Sequence, residues 1–484
     1  MNRHDAVEYI ASRSDYFSEL SDRIWDHPEV RFTETFSSNI LCRAFEAEGF
    51  QVKRGLAELP TSFVARYGGG KPCIGFLGEF DALPGMSQCP GIAERTPLES
   101  NINGHGCGHN LLGVGSLAAA FGLKKYLEEN GLPGTVVYFG CPAEEGGSGK
   151  TFMARAHCFD EIDCAITWHP GACNGVPPGS FLANYLVKYQ FTGISSHAAA
   201  FPQMGRSALD ALELMNMGVQ FLREHIIQDA RIHYAITDTG GDSPNIVQPK
   251  ATAMYQIRAP KTPQVEEIYQ RVNRIAEGAA MMTDTKVDIK IMKGCSNTVP
   301  NVVMDRIMYR NLLEVPRPVC PDSEKKLVEA LAATLKPQGA VVRQQVAAMP
   351  EYVVSAVQKQ EILDRADETI QTFVLPYTPS DAPIPASSDV GDVSWVCPTS
   401  QIGTATWVAG TAPHTWQAVA SGKTEFAHRS MLYAAQVMAS TAIDLYSAPD
   451  QLKAAREELD RYLNGTPYHS PMPDDIHPSD LYNQ

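Results

Sequence analysis

The sequence predicts an α/β fold built mainly on a parallel sheet, and three observations predict it. Short, nearly continuous apolar runs of strand length recur along the chain, apolar or amphipathic helical stretches separate the early ones, and each run ends in a cluster of polar donors. In open α/β sheets, sites form beyond the carboxyl ends of the strands, so this recurrence outweighs any single motif.

The first run, 73–77, leads into Gly78-Glu79-Phe80-Asp81-Ala82-Leu83-Pro84. Next comes Asn103-Gly104-His105-Gly106-Cys107-Gly108-His109-Asn110, followed at once by an apolar helical run over 111–127. Here a thiolate donor and an imidazole donor stand two residues apart in a glycine-rich turn that is flexible enough to bring both onto one ion. Taken alone, a Cys beside a His is more often an ordinary turn. The run 135–139 leads into Pro142-Ala143-Glu144-Glu145-Gly146-Gly147, 164–168 ends at His169-Pro170, and 404–409 ends at Gly410-Thr411-Ala412-Pro413-His414. Adjacent acids usually mark a solvated loop. Between a buried strand and two glycines, however, the backbone can aim two carboxylates differently, one at a metal and one at a proton.

The texture changes between about 180 and 294. A strand (182–191), an amphipathic helix (206–225), two strands (231–237 and 252–258), a helix (263–281) and a strand (286–292) follow in the order β-α-β-β-α-β. That order is ferredoxin-like and self-contained. The expected organisation is therefore a catalytic domain in two parts, 1–180 and 296–484, with a domain inserted at 181–295. Within 317–385 only a helix over 324–335 is legible; 341–357 has no clean period, and the segment has no assigned place. The tail from Asn464, with prolines at 467, 471, 473 and 478, reads as an extended strap or a loosely ordered end.

Composition sets limits on function. With 484 residues, 44% hydrophobic and 20% charged, the chain is long enough for two domains and a substantial core. A formal charge of −15 and a pI near 5.4 argue against nucleic acid or an anionic membrane as partner. No apolar window reaches spanning length and the first residues lack a signal core, so a cytoplasmic protein is expected. The eleven cysteines are scattered, largely in apolar runs, which suits reduced thiols better than disulfides. No Gly-x-Gly-x-x-Gly, phosphate-loop or Gly-x-Ser-x-Gly signature supports nucleotide or serine-hydrolase chemistry.

Glu79-Phe80-Asp81-Ala82-Leu83-Pro84, Gly106-Cys107-Gly108-His109-Asn110, Glu144-Glu145-Gly146-Gly147, Trp168-His169-Pro170, Ser196-His197-Ala198-Ala199 and His414 together resemble the aminoacylase/carboxypeptidase family of two-metal amidohydrolases. The likeness is to the branch holding N-acyl-amino-acid and auxin-conjugate hydrolases, and it spans nearly the whole chain. It implies that the inserted domain is a lid that also forms a homodimer. It further implies two divalent ions in each protomer, held by Cys107, His109, Glu145, His169 and His414. A thiolate and three imidazoles suit zinc, nickel or cobalt, the carboxylate tolerates manganese, and the family keeps manganese in contention. His428 competes with His414 for the last ligand place, and His414 is preferred because it follows a strand-like run.

By the same resemblance Glu144 is the general base for the attacking water and the proton carrier to the leaving amine. Asp81 orients a ligand imidazole, His109 first among them, and His197 stabilises the oxyanion from across a dimer. Asn245 and Arg258 hold the substrate carboxylate, for which a planar guanidinium fork is well shaped. A turn histidine and a structural salt bridge are the plain alternatives for His197 and Arg258. Glu79 stands where aspartate is common and receives no role. The implied reaction is hydrolysis of an N-acyl amino acid, with an aromatic acyl-glutamate foremost and an indole-acetyl-aspartate type conjugate second. The resemblance also admits a hetero-oligomer with a related chain, in which this chain only binds metal. Glu144 argues against that, since a purely structural component has little use for a proton carrier.

Overall fold

The computed structural model describes residues 1–98, 101–347, 349 and 353–482. Among them the strands are β1 (Gln51–Arg54), β2 (Phe63–Gly69), β3 (Cys73–Glu79), β4 (Gly134–Cys141), β5 (Cys164–Gly171), β6 (Cys173–Asn174), β7 (Ala183–Thr192), β8 (Arg231–Asp238), β9 (Lys250–Ala259), β10 (Lys286–Cys295), β11 (Gln371–Val374) and β12 (Thr399–Ala405). The main sheet has the order β1-β2-β4-β3-β5-β12; β4, β3, β5 and β12 run parallel, and β1 and β2 add antiparallel on one side.

The parallel strands are buried on both faces, and their side chains alternate between two cores. Ile74, Phe76, Val136, Tyr138, Cys164 and Ile166 face one core, and Cys73, Leu77, Val137, Phe139 and Ala165 the other. On the first face lie the helices Arg3–Ser12, His109–Asn130 and Glu425–Ser447. His109–Asn130 lies close against the sheet because two of its residues lack side chains. A Cβ on Gly113 would meet the Glu79 carbonyl oxygen at 2.7 Å, and one on Gly115 the Trp168 indole at 2.7 Å. This close approach sets His109, the helix's first residue, beside the end of β3.

The strand expected at 404–409 lies earlier, at β12. Thr399-Ser400-Gln401 is too polar for an apolar-run criterion, yet Thr399 and Ser400 are buried, and Ser400 donates a hydrogen bond to Asp305 at 2.6 Å. Residues 406 and 407 have turned to the Gly171 carbonyl instead.

Over 183–295 the strands form a second, antiparallel sheet in the order β10-β7-β9-β8, with the helices Ala208–Leu222 and Thr262–Met282 packed on it. In the segment without an assigned place, the helices Gly339–Ala347 and Ala356–Arg365 close over a small core of Val342, Val346, Ile362, Ala366 and Phe373, and β11 pairs with β6. Residues 348 and 350–352 of the aperiodic stretch lie outside the described residues. The tail is a docked strap as far as Tyr482, with 483–484 outside the described residues. Arg155 donates to the carbonyl oxygens of Pro473 and Ile476 at 2.7 and 3.0 Å, and Met472 and Leu481 are buried. All eleven cysteines are free, and among the described residues no helix is long and apolar enough to cross a membrane.

Behind β12, Asp305 is buried with both oxygens engaged, by Ser400 and by Tyr377 at 2.9 Å, and burial pushes its carboxyl up to about 7 despite those bonds. A raised carboxyl pKa means the folded chain keeps a proton that the unfolded chain has already released. Its contribution is thus full below about pH 4 and is lost as pH rises through about 7. Asp305→Asn is expected to gain stability relative to the parent between pH 5 and pH 8. Paired melting curves check this, and a difference that does not move with pH sinks it.

Candidate metal centre and catalytic turn

Each donor sits where the main sheet ends. Cys107 and Gly108 (φ 71°) turn the chain into helix His109–Asn130, Glu144–Gly147 is a one-turn helix just past β4, and His169 lies near the end of β5. His414 is tied to the Cys107 turn by its own N–H, which donates to the Gly106 carbonyl at 2.9 Å. Three non-glycine residues around the site are left-handed: Ala143 (φ 59°), Ser148 (φ 53°) and His414 (φ 62°). Such strain collects where surrounding structure imposes a required geometry.

The ligand atoms of Cys107, His109 and His169 lie within 4.8 Å of one another, as do those of Cys107, Glu145 and His414, with Cys107 common to both groups. Cys107 Sγ is 3.4 Å from His169 Nε2, and His414 Nε2 is 3.2 Å from Glu145 Oε2. The His169 Nδ1–H donates to the Pro170 carbonyl at 2.7 Å, which turns its Nε2 lone pair toward the thiol. The acidic loop residue Asp81 ties two of these together. One oxygen accepts from His109 Nδ1 at 2.9 Å and the other from the Glu145 backbone N–H at 2.9 Å.

These residues fit divalent cations. His109 Nε2 and Glu145 Oε1 are buried without a hydrogen-bond partner, although Glu79 Oε2 approaches His109 Nε2 to 3.2 Å out of hydrogen-bond alignment. Burial also pushes the Cys107 thiol up, so a thiolate there needs a cation beside it. Asp81→Asn is expected to weaken metal binding by about 10- to 100-fold, because the amide no longer fixes the His109 tautomer. Competition with a chelating dye measures this, and unchanged affinity refutes it.

The other expected residues divide. His428 lies against Asp22 at 2.9 Å, and burial pulls His105 down to about 4 where it meets the Ile24 carbonyl; neither belongs to the ligand groups. Arg258 on β9 donates to Ser387 at 3.1 Å and feels the Glu144 charge. His197 and Asn245 are exposed, lie together beyond β7 and β8, where His197 pairs with Ile246, and are not members of the ligand groups of this chain.

Sequence reasoning missed the buried residues Glu34, Lys150, Lys293 and Asp389. Glu34 accepts from the Ala143 N–H at 2.8 Å, and burial together with Asp81 raises its carboxyl to about 8. Lys150 Nζ stands between Glu79 and Asp389 at 2.5 and 2.6 Å. Lys293 Nζ donates to the Glu144 and Glu145 carbonyl oxygens at 2.5 and 3.3 Å. Burial opposes ionisation of Glu144, yet Lys293, Lys150 and His109 outweigh it and hold the carboxyl below its ordinary range. Only Lys293 carried a usable signal, as a charge inside the apolar end of a strand.

The sequence pattern of peptidase family M20/M25/M40 matches residues 75–443. The chain belongs to that family. Over 99% of its length it is 44% identical to one subunit of the p-aminobenzoyl-glutamate hydrolase of Escherichia coli, covering 98% of that protein. Another subunit of the same organism's enzyme is 27% identical over 50% of this chain and 57% of its own length. The fold is shared with the Bacillus subtilis YXEP protein, described as a dinuclear metal binding peptidase, at a TM-score of 0.55 and 16% identity over 90% of this chain and 99% of that one. As a family member the chain is a metal-dependent amidohydrolase, as its motifs implied.

Proposed function

We propose that this amidohydrolase cuts the amide of p-aminobenzoyl-glutamate, releasing p-aminobenzoate and glutamate. The donor set, buried at Cys107 and His109 and open at His414, with Glu144 in the same turn as Glu145, supports the chemistry, and the 44% identity over nearly the full length to the Escherichia coli hydrolase subunit supports the substrate. Cys107, His109, Glu145, His169 and His414 would hold two divalent ions, in keeping with the dinuclear description of the YXEP protein. Such ions, when bound, supply an acidified water and a polarised carbonyl.

The chain's own residues do the rest. Glu144, ionised and buried, takes the proton of the attacking water and passes it to the leaving amine nitrogen. Asp81 holds His109 in one tautomer. Arg258, forked and close to Glu144, receives the glutamate carboxylate, and Asn245, in the same corner as His197, does so for a partner's site.

His197 is exposed and belongs to none of the ligand groups, so in this reading it serves a partner's site and reaches the oxyanion across a homodimer. Leu214, Met217 and Phe221 on helix Ala208–Leu222, with Tyr234 and Ile236 on the edge strand β8, offer the apolar face such a dimer needs. That two relatives are named as different subunits of one hydrolase favours a hetero-oligomer as well. Free cysteines suit a cytoplasmic setting.

Glutamate release from p-aminobenzoyl-glutamate by the manganese- or zinc-loaded chain, beside acyl-glutamates and acyl-aspartates, tests the reading. Chelator-sensitive turnover is expected, fastest on the aromatic acyl-glutamate. Preference for an acyl-aspartate refutes the substrate, and no turnover even in the presence of a related partner chain refutes the reading as a whole.

A further inference from the structure

We propose that Lys293 is a positioning residue for hydrolysis: a buried ammonium on the last strand of the inserted sheet that grips the Glu144–Glu145 turn by its carbonyl oxygens and fixes where the Glu144 carboxylate stands. The inference rests on reading Glu144 as the base.

The geometry is unusual for a lysine. Lys293 is 7% exposed, on a strand whose inner half, Ile291 to Cys295, is buried throughout. The ladder to β7 slips at this point: Ile291 pairs with Val187 but Lys293 with Leu186, which leaves Met292 as an extra residue. A bulge re-aims the side chain that follows it. With strict alternation Lys293 would share the face of Ile289 and Ile291. The extra residue turns it over, and Nζ arrives at the Glu144 and Glu145 carbonyl oxygens.

The turn it meets needs such support. Four residues, Glu144–Gly147, lie between left-handed Ala143 and Ser148, too few to close a helical ladder of their own. A cation donating to two successive carbonyls satisfies them and places positive charge beside the adjacent carboxylate. Lys150, the other buried ammonium nearby, spends its bonds on Glu79 and Asp389 instead. The consequence is mechanical: the base is located by a side chain from the inserted unit, so a displacement of β10 displaces Glu144.

The test uses the metal-loaded full chain with Lys293→Met, Lys293→Arg and Lys293→Ala, p-aminobenzoyl-glutamate as substrate, and hydrogen exchange of the 142–149 amides. Lys293→Met is expected to keep its metal content and to lose about 100-fold in kcat with KM within about threefold. The 142–149 amides should exchange about tenfold faster while helix 109–130 is unchanged. Ethylammonium, but not tetramethylammonium, should restore kcat to Lys293→Ala, and Lys293→Arg should retain more activity than Lys293→Met. An unchanged kcat, a loss that tracks metal loss, or failure of all three variants to fold overturns the proposal, the last by reducing Lys293 to a structural cation. If the parent chain cleaves no acyl amino acid, the functional reading fails and exchange alone decides the grip: unchanged rates in 142–149 overturn it.

Discussion

Glu144→Gln is expected to lower kcat on p-aminobenzoyl-glutamate by about 10²- to 10⁴-fold, the range typical of a lost general base. The amide matches the carboxylate in shape but cannot take a proton at neutral pH, so the effect should fall on kcat and leave KM nearly as it was. The backbone of the turn is fixed independently of this side chain, by Lys293 on its carbonyls and by Glu34 on the Ala143 N–H. Metal content and melting temperature should therefore match the parent. Metal analysis, calorimetry and steady-state rates on the same sample check all three. A variant that retains a tenth of the parental kcat with full metal would show that another group carries the proton.

Much of this arrangement was legible because the donors come from strand ends, and strand ends follow from apolar runs. The apolar runs 73–77, 135–139 and 164–168 lie inside β3, β4 and β5. The six elements between 182 and 292 came within a few residues, since alternating and helical periods are both strong there. The aminoacylase/carboxypeptidase likeness brought in ligand candidates that spacing alone could not, such as His414, nine residues past the end of β12.

What was illegible has a common physical cause. β12 begins ahead of the apolar run because Thr399, Ser400 and Gln401 read as polar, and only the three-dimensional partner, Asp305, explains why Ser400 can be buried. β1 and β2, short or half exposed, gave no apolar run. Lys150 follows Gly-Ser-Gly and reads as the solvated end of a loop. Its burial is decided by Glu79 and Asp389, the latter 239 residues away, and no local pattern encodes that. Glu79, left without a role in the sequence, is the charge that Lys150 neutralises.

That buried cluster carries the largest stability effect. Lys150→Met is expected to cost about 3–5 kcal/mol at neutral pH, the usual penalty for removing one partner of a buried ion pair. Lys150 is fully buried, its Nζ lies between Glu79 and Asp389, and its backbone N–H also donates to Asp389 at 2.8 Å. Methionine fills similar volume, so the loss comes from charge: two carboxylates remain in a dry site with their cation gone. They can escape only by taking up protons. Burial already raises Asp389 to about 6 and raises Glu79 even with Lys150 present, and without the ammonium both must rise further. For carboxyls whose folded pKa lies above the unfolded one, stability is full at acid pH and is lost as pH rises through the folded pKa. The deficit of Lys150→Met should therefore be small near pH 5 and grow through pH 6 and above. Lys150→Met with Asp389→Asn should recover part of it, because only one uncompensated carboxylate then remains. Denaturant midpoints at pH 5 and pH 8 for the three chains decide the matter. A deficit that is the same at both pH values would mean that lost packing, and not stranded charge, is what Lys150 prevents.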